Sequence, residues 1–323
     1  MPPARRPRRR RRALRVVVLL IGLWIVFLVA VPVWAWSQVT KVDAEPDGDR
    51  PGSQPGNTYL LVGSDSRAGL SKEQQKDLAT GGDSGGRGRT DTMLLLHTGS
   101  GPTTLLSIPR DSMVPIPGYG TTKINAAYAY GGPQLLVQTI EQNTGIRVDG
   151  YVEIGFGGLV NVVDALGGIE ICPEEAISDR DSGLDVDAGC QEADGPTALA
   201  YSRNRHSYTT QDIQRVQAQR EVIGSIGSKV RSPWTILNPL RYFRLGDSAA
   251  DSLSIGENVG PLSAGRFALA LSGALSGNGL SCTVPLRDFA VTWDATRAPQ
   301  MFELIAQDRT DEIGDLCTAD GLP

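Results

Sequence analysis

Two histidines, His97 and His206, and four cysteines with no C-x-x-C pair are all that 323 residues offer a soft metal. That is too few ligands for a typical zinc site. The sequence also has no G-x-S-x-G, so the nucleophile elbow of serine hydrolases is absent, and it has neither a Walker A loop nor a Rossmann glycine fingerprint. No acidic residue precedes Asp43, whereas eight arginines fall within residues 1–15. With those eight set aside, 23 basic residues face 36 acidic ones, a net charge of −13 that makes a poor general binder of nucleic acid. Charge of either sign is missing from Val16 to Trp36. As a helix those residues reach about 31 Å, the thickness of a hydrocarbon core. What remains, 40% hydrophobic and 21% charged with 38 glycines, reads as a packed, turn-rich globular body.

The arginines from Arg5 to Arg15 before the uncharged span, and Asp43, Glu45, Asp47 and Asp49 after it, predict a cytoplasmic N-terminus and an exported remainder. A cleaved signal peptide is the alternative, with Val33-Trp34-Ala35 as its small-residue site, but the apolar stretch exceeds the usual h-region of about 7–15 residues. Binding of nucleic acid by the arginine run is the other alternative, and a topology and anionic-lipid signal explains the run better. Residues 1–15 are thus expected as a cytoplasmic tail and 16–36 as a transmembrane helix. Residues 37–56, rich in Pro, Gly and acidic groups, are expected as a stalk, and 57–323 as the globular domain. Cys172, Cys190, Cys282 and Cys317 all lie on the exported side, which predicts two disulfides. Of the three connectivities, local pairing costs the least loop entropy.

Apolar runs at Tyr59–Val62, Met93–Leu96 and Leu105–Ile108 suit buried central strands. Helices are predicted over Pro133–Asn143, Phe156–Leu166, Gly195–Ser202, Asp212–Val230 and Ala264–Leu275, with a short helix and a loop in Ala68–Arg87. Strands alternating with helices imply a layered α/β or α+β domain.

On a helical wheel starting at Asp212, the polar Arg215 and Gln219 share a face with Val216, Ile223, Ile226 and Val230, while Gln214, Gln217, Glu221 and Ser228 lie opposite. Buried Arg and Asp are costly unless paired or used. One reading is a structural Asp212–Arg215 ion pair; the other is a pocket with a charged mouth and an apolar depth lined by Ile223, Ile226 and Val230, suited to an anionic amphiphile. Arg203 with Arg205, and Arg89 with Asp91, are spaced i, i+2 and share one face if the backbone is extended. Arg110 and Asp111 follow the third apolar run directly. Arginine forks bind phosphate oxygens and carboxylates hold Mg²⁺, so the mixture meets the needs of phosphoryl transfer, although solvated strand ends and turns explain each pair alone. His206 is considered as a general base, but the arginines beside it favour its neutral, hydrogen-bonding form.

The blocks VGSDSR (Val62–Arg67), GRTDTM (Gly88–Met93), SIPRDS (Ser107–Ser112), KINAAYAYGG (Lys123–Gly132), LVNVVDALGGIEI (Leu159–Ile171), ALAYSRNR (Ala198–Arg205) and D-x-x-R-x-x-x-Q (Asp212–Gln219) resemble the LytR-CpsA-Psr family of bacterial envelope proteins. They occur in family order over roughly residues 58–226. The resemblance implies a central mixed β-sheet flanked by helices around an apolar lipid pocket. It implies a phosphotransferase that moves a glycopolymer from a polyprenyl-pyrophosphate carrier onto peptidoglycan with Mg²⁺ or Mn²⁺, at the membrane and without nucleic acid. Carried over by motif, Asp65, Arg89, Asp91, Arg110, Arg203, Arg205, Arg215 and Gln219 match head-group and metal positions, with Asp65 and Asp91 on the metal. Asp212 matches the acidic residue before them, and Lys123 joins the pocket. One departure is Ala218-Gln219-Arg220, where the family often has Arg followed by Gln-Gln. The insertion between Cys172 and Cys190 resembles actinobacterial members, for which arabinogalactan is the expected polymer. The family's historical name raises a membrane-bound transcription attenuator, and the pocket alone would serve a non-catalytic polyprenyl carrier. The attenuator reading has only about fifteen cytoplasmic residues with which to reach DNA, and the carrier reading has no need of the metal carboxylates.

Overall fold

The computed structural model describes residues 7–65, 88–179, 183–204, 211–288 and 291–322, with backbone alone at 7–11 and 211–216. The short helix and loop expected over Ala68–Arg87 fall outside the described residues. Helix α1 (Pro7–Gln38) contains the uncharged span and is long and apolar enough to cross a membrane. Most of its side chains face outward, Leu19 and Leu23 among them.

A seven-stranded mixed sheet forms the centre. Its strands are β1 (Thr40–Val42), β2 (Asn57–Ser64), β3 (Thr90–Thr98), β4 (Thr104–Ser107), β7 (Gly150–Gly155), β12 (Leu253–Gly256) and β13 (Leu280–Thr283), in the order β1-β12-β7-β2-β3-β4-β13. β2 is parallel to β7 and β4 to β13, while β3 is antiparallel to both its neighbours. The runs read as continuous apolar segments divide by alternation between two faces. Leu60, Val62, Met93, Leu95 and Leu106 enter one buried cluster, and Tyr59, Leu61, Leu94, Leu96 and Leu105 another. The first face is covered by α2 (Asn125–Thr144) and α9 (Arg297–Ala306). The second is covered by α5 (Gln211–Arg231) and α8 (Pro261–Leu275), through half-buried residues such as Ile223, Leu271 and Leu275.

Helix α2 starts eight residues before the predicted Pro133. Its two halves meet at Gly132, whose φ of 67° and ψ of −155° only glycine adopts readily, and Pro133 restarts the helix. Helices α3 (Phe156–Ala165) and α4 (Gly195–Arg203) follow the predicted segments closely, with Asp194 capping α4 through the Thr197 amide. Helices α6 (Pro233–Leu237) and α7 (Pro239–Ser252) were not predicted. Outside the sheet, β5 (Met113–Ile116) and β6 (Gly120–Lys123) form a hairpin, and two small antiparallel ladders, β8 (Ile169–Ile171) with β11 (Gln191–Ala193) and β9 (Ile177–Asp179) with β10 (Leu184–Val186), accompany the Cys172–Cys190 bridge. Cys282 pairs with Cys317, so both cysteine pairs are local.

The expected stalk at 37–56 is corrected by the structure. Residues 40–42 form the edge strand β1, Ala44 is buried, and Arg50 donates from Nε and Nη2 to the buried Glu141 of α2. Gln54 bridges to the Gly145 carbonyl and the Arg147 amide. Composition pointed to a spacer because these partners lie about ninety residues away.

Candidate active site

The C-terminal ends of β2, β4, β7 and β13 and the N-terminal end of β3 come together at one end of the sheet. In open α/β sheets this is where ligands bind. Pairing of β2 with β3 skips a residue there: Gly63 faces Thr92 and Ser64 faces Thr90, leaving Asp91 as the extra residue of a β-bulge. Such a bulge re-aims a side chain. Just before β3, the Arg89 amide donates to Asp65 Oδ1 at 2.6 Å, and the Arg89 carbonyl accepts from the Asp65 amide. A Cβ on Gly88 would stand 2.1 Å from Asp65 Oδ1, so a larger residue there would displace the Asp65 carboxylate from this link.

Arg110, in the turn after β4, donates from Nη1 to Asp91 Oδ1. Its Nε is ion-paired to Asp111 Oδ2 at 3.7 Å, beyond hydrogen-bond range, and is buried without a hydrogen-bond partner among the described residues. Asp111 in turn holds Lys123 Nζ at 2.9 Å. The turn is fixed by the Asn125 and Ile124 amides, which donate to the Arg110 and Ser112 carbonyls. Arg89, Arg110, Asp111, Lys123, Asn125 and Tyr130 line a cleft of about 230 Å³. A narrow crevice next to it joins Asp91 and Arg110 to Gln219 of α5. Gln219 is buried, with Nε2 at 3.5 Å from the Ser202 carbonyl.

The structure therefore gathers Asp65, Arg89, Asp91, Arg110, Lys123 and Gln219 at one end of the sheet. Arg203 ends α4 rather than extending, and its guanidinium sits 4.9 Å from the Phe156 ring in a cation–π contact at the start of α3. Arg205 and His206 lie outside the described residues, as do the side chains of Asp212 and Arg215. Ile223 packs under the sheet, whereas Ile226 faces a separate cluster with Val163, Tyr201 and Val222. Helix α5 is thus wedged between two apolar groups rather than showing one inner face. Glu221, placed on the outer side by the wheel, instead accepts from the Cys172 amide and the Tyr201 hydroxyl. Arg220 reaches Ser107 Oγ, Thr283 Oγ1 and the Cys282 and Ala319 carbonyls, tying β4, β13 and the C-terminal segment below the cleft. Burial pushes its pKa down to about 10, so it stays charged at neutral pH.

Sequence reasoning missed Tyr130 and Phe156. Tyr130 stacks on Tyr119 at 4.4 Å, and its place inside KINAAYAYGG was the available signal. Asp65 and Asp91, at this end of the sheet, offer carboxylate oxygens, the donor type of which Mg²⁺ takes one or two before completing its shell with water and phosphate.

Comparison with known proteins covers most of the chain. Residues 37–254 match the model of the LytR_cpsA_psr family. Across 293 residues the chain is 46% identical to the probable cell wall biosynthesis protein LcpB of Corynebacterium glutamicum, a match covering 88% of this chain and 69% of that one. It is 38% identical over 155 residues to the polyisoprenyl-teichoic acid–peptidoglycan teichoic acid transferase TagU of Enterococcus faecalis, covering 47% of this chain and 50% of TagU. Among solved structures, the LytR-Csp2A-Psr enzyme from Actinomyces oris superposes with a TM-score of 0.65 at 22% identity, covering 83% of this chain and 96% of that one.

Proposed function

We propose that the chain, which belongs to the LytR-CpsA-Psr family, is a membrane-anchored phosphotransferase that moves a glycopolymer from a polyprenyl-pyrophosphate carrier onto peptidoglycan. The observation that carries this reading is the gathering of Arg89, Arg110 and Lys123 around one cleft, with Asp65 and Asp91 at the same end of the sheet. Three cations suit a pyrophosphate. The names of LcpB and TagU, cell wall biosynthesis and teichoic acid transfer to peptidoglycan, agree with it.

In the proposed reaction an acceptor hydroxyl attacks the glycan-linked phosphorus. A new P–O bond forms, the bridging P–O bond of the pyrophosphate breaks, and polyprenyl phosphate leaves with the electron pair. Arg110 and Arg89 neutralise charge on the departing phosphate in a site shaped before the substrate arrives. Asp65 and Asp91 would hold Mg²⁺ or Mn²⁺, which when bound supplies further charge neutralisation at the pyrophosphate. Arg203, Arg205, Arg215 and Gln219 complete the head-group contacts by motif match, and Asp212 or Asp91 takes the proton of the hydroxyl. The prenyl chain lies along Ile223 and the half-buried residues that cover the sheet, not along Ile226, which packs in the other cluster. The positive-inside arginines orient α1 so that the domain faces outward.

The test is release of polyprenyl phosphate and transfer of glycan by the full chain, with and without Mg²⁺. Turnover that requires the cation and is lost in Arg110→Ala supports the reading. Tight lipid binding without turnover, unchanged by chelation, would reduce the protein to a carrier.

A further inference from the structure

From Ser232 to Leu240 the sequence SPWTILNPL carries no charge. Its apolar side chains nevertheless face outward: Trp234 is 76% exposed and Leu237 62%, and Ile236, Leu240 and Phe243 are exposed as well. Thr235 turns inward and donates to the Lys229 carbonyl, which fixes the turn and presents its apolar neighbours away from the body. Contiguous apolar surface of this kind marks an interaction site.

The contacts of α7 identify what covers it. Tyr242 Oη donates to the Leu28 carbonyl at 3.0 Å, and the Tyr242 ring meets Phe27. Phe243 stacks on Trp34, and a Cβ on Gly246 would meet Val31 at 2.7 Å and Ala35 at 3.9 Å. Later residues of α7 meet later residues of α1, so the two helices run in the same direction. The turn holding Trp234 and Leu237 therefore lies at the deeper end of their contact. Leu28 is eight residues inside Trp36, about 12 Å below the outer end of the uncharged span. The uncharged run is bracketed by Arg231 on one side and by Arg241 and Arg244 on the other, and the Arg241 guanidinium lies beside Gly167 of the globular domain.

We propose that α6 and the first turn of α7 form a second membrane-inserted element, seated in the bilayer leaflet that holds the C-terminal half of α1, with lipid acyl chains covering Trp234, Ile236, Leu237 and Leu240. This rests on the reading of α1 as the membrane anchor. A consequence concerns the substrate: α6 follows α5 after Ser232, so the helix carrying Gln219, Ile223 and Ile226 runs from the cleft to the bilayer. A prenyl chain passes from membrane to site along one helix.

The test uses the full chain with a nitroxide at Leu237→Cys, reconstituted without reductant in vesicles of phosphatidylcholine and phosphatidylglycerol. All four native cysteines are paired, so the label has one target. Leu23→Cys in α1 and Glu303→Cys in α9, which packs beside Cys282 at the sheet edge opposite β1, are the references. Leu237 is exposed, so labelling disturbs no core. The expected result is a Leu237 label relaxed more strongly by oxygen than by an aqueous nickel chelate, like Leu23 and opposite to Glu303. A Leu237 label that behaves like Glu303 while Leu23 reads as hydrocarbon overturns this proposal and leaves the anchor standing. If Leu23 also reads as aqueous, both fall.

Discussion

Arg50 and Arg110 are buried to the same degree, with 11% and 14% of their side chains exposed, and each meets a carboxylate. Their remaining donors differ. Every nitrogen of Arg50 is used: Nε and Nη2 on Glu141, Nη2 on the Val148 carbonyl and Nη1 on Glu45. Those contacts hold its pKa above the ordinary arginine value, with the Glu141 hydrogen bond as the largest cause. Arg110 gives Nη1 to Asp91 and leaves Nε without a hydrogen bond, 3.7 Å from Asp111. A buried donor without a hydrogen bond costs roughly 1–3 kcal/mol. Under the proposed function, Arg110 is the arginine that meets the pyrophosphate, whereas Arg50 only builds the body.

The strongest way to break this comparison is Arg110→Ala. Glycan transfer should fall about 10³-fold or more, the scale of an arginine acting on phosphoryl-transfer charge, while the melting temperature stays near that of the parent. Lost turnover explained by unfolding would make Arg110 structural. Next, Arg50→Ala should cost about 3–5 kcal/mol, because it leaves the Glu141 carboxylate, 1% exposed, without its counter-charge. Denaturant titration measures the loss, and activity per folded molecule should persist. Replacing both partners, Arg50→Met with Glu141→Leu, should recover most of that stability; failure to recover would mean that the pair stabilises beyond its own charges. The smallest effect concerns Asp308, which accepts from the Ser100 amide and meets His97 Nε2 at 3.1 Å. Burial pushes its carboxyl up, but these hydrogen bonds outweigh that and hold it below the usual range. A folded pKa below the unfolded one gives stability that is present above about pH 4 and lost as pH falls through the folded value. Asp308→Asn should flatten that acid limb in melts recorded across pH.

Legibility followed the range of the interactions. The buried strands and the helices at Phe156, Gly195 and Asp212 could be read because hydrophobic period and caps act within one element. Asp65, Arg89, Asp91 and Arg110 could be named from their motifs, and the sheet ends explain why they meet. The bulge at Asp91 could not be read, since it depends on how β2 and β3 register across a gap in sequence. The same limit hid the docking of residues 43–56, the inward turn of Glu221 and the role of Arg220, whose partners span β4, β13 and Ala319. A helical wheel assumes one buried side, and α5 is buried on more than one.

Only Val39 separates the end of α1 at Gln38 from Thr40, where the sheet's edge strand begins parallel to β12. Under the proposed function, with no slack between α1 and the sheet, the cleft would stay at one height above the bilayer. Its search for carrier lipid would then be two-dimensional, set by lateral diffusion, and wall strands beyond that height would be out of range however abundant they are.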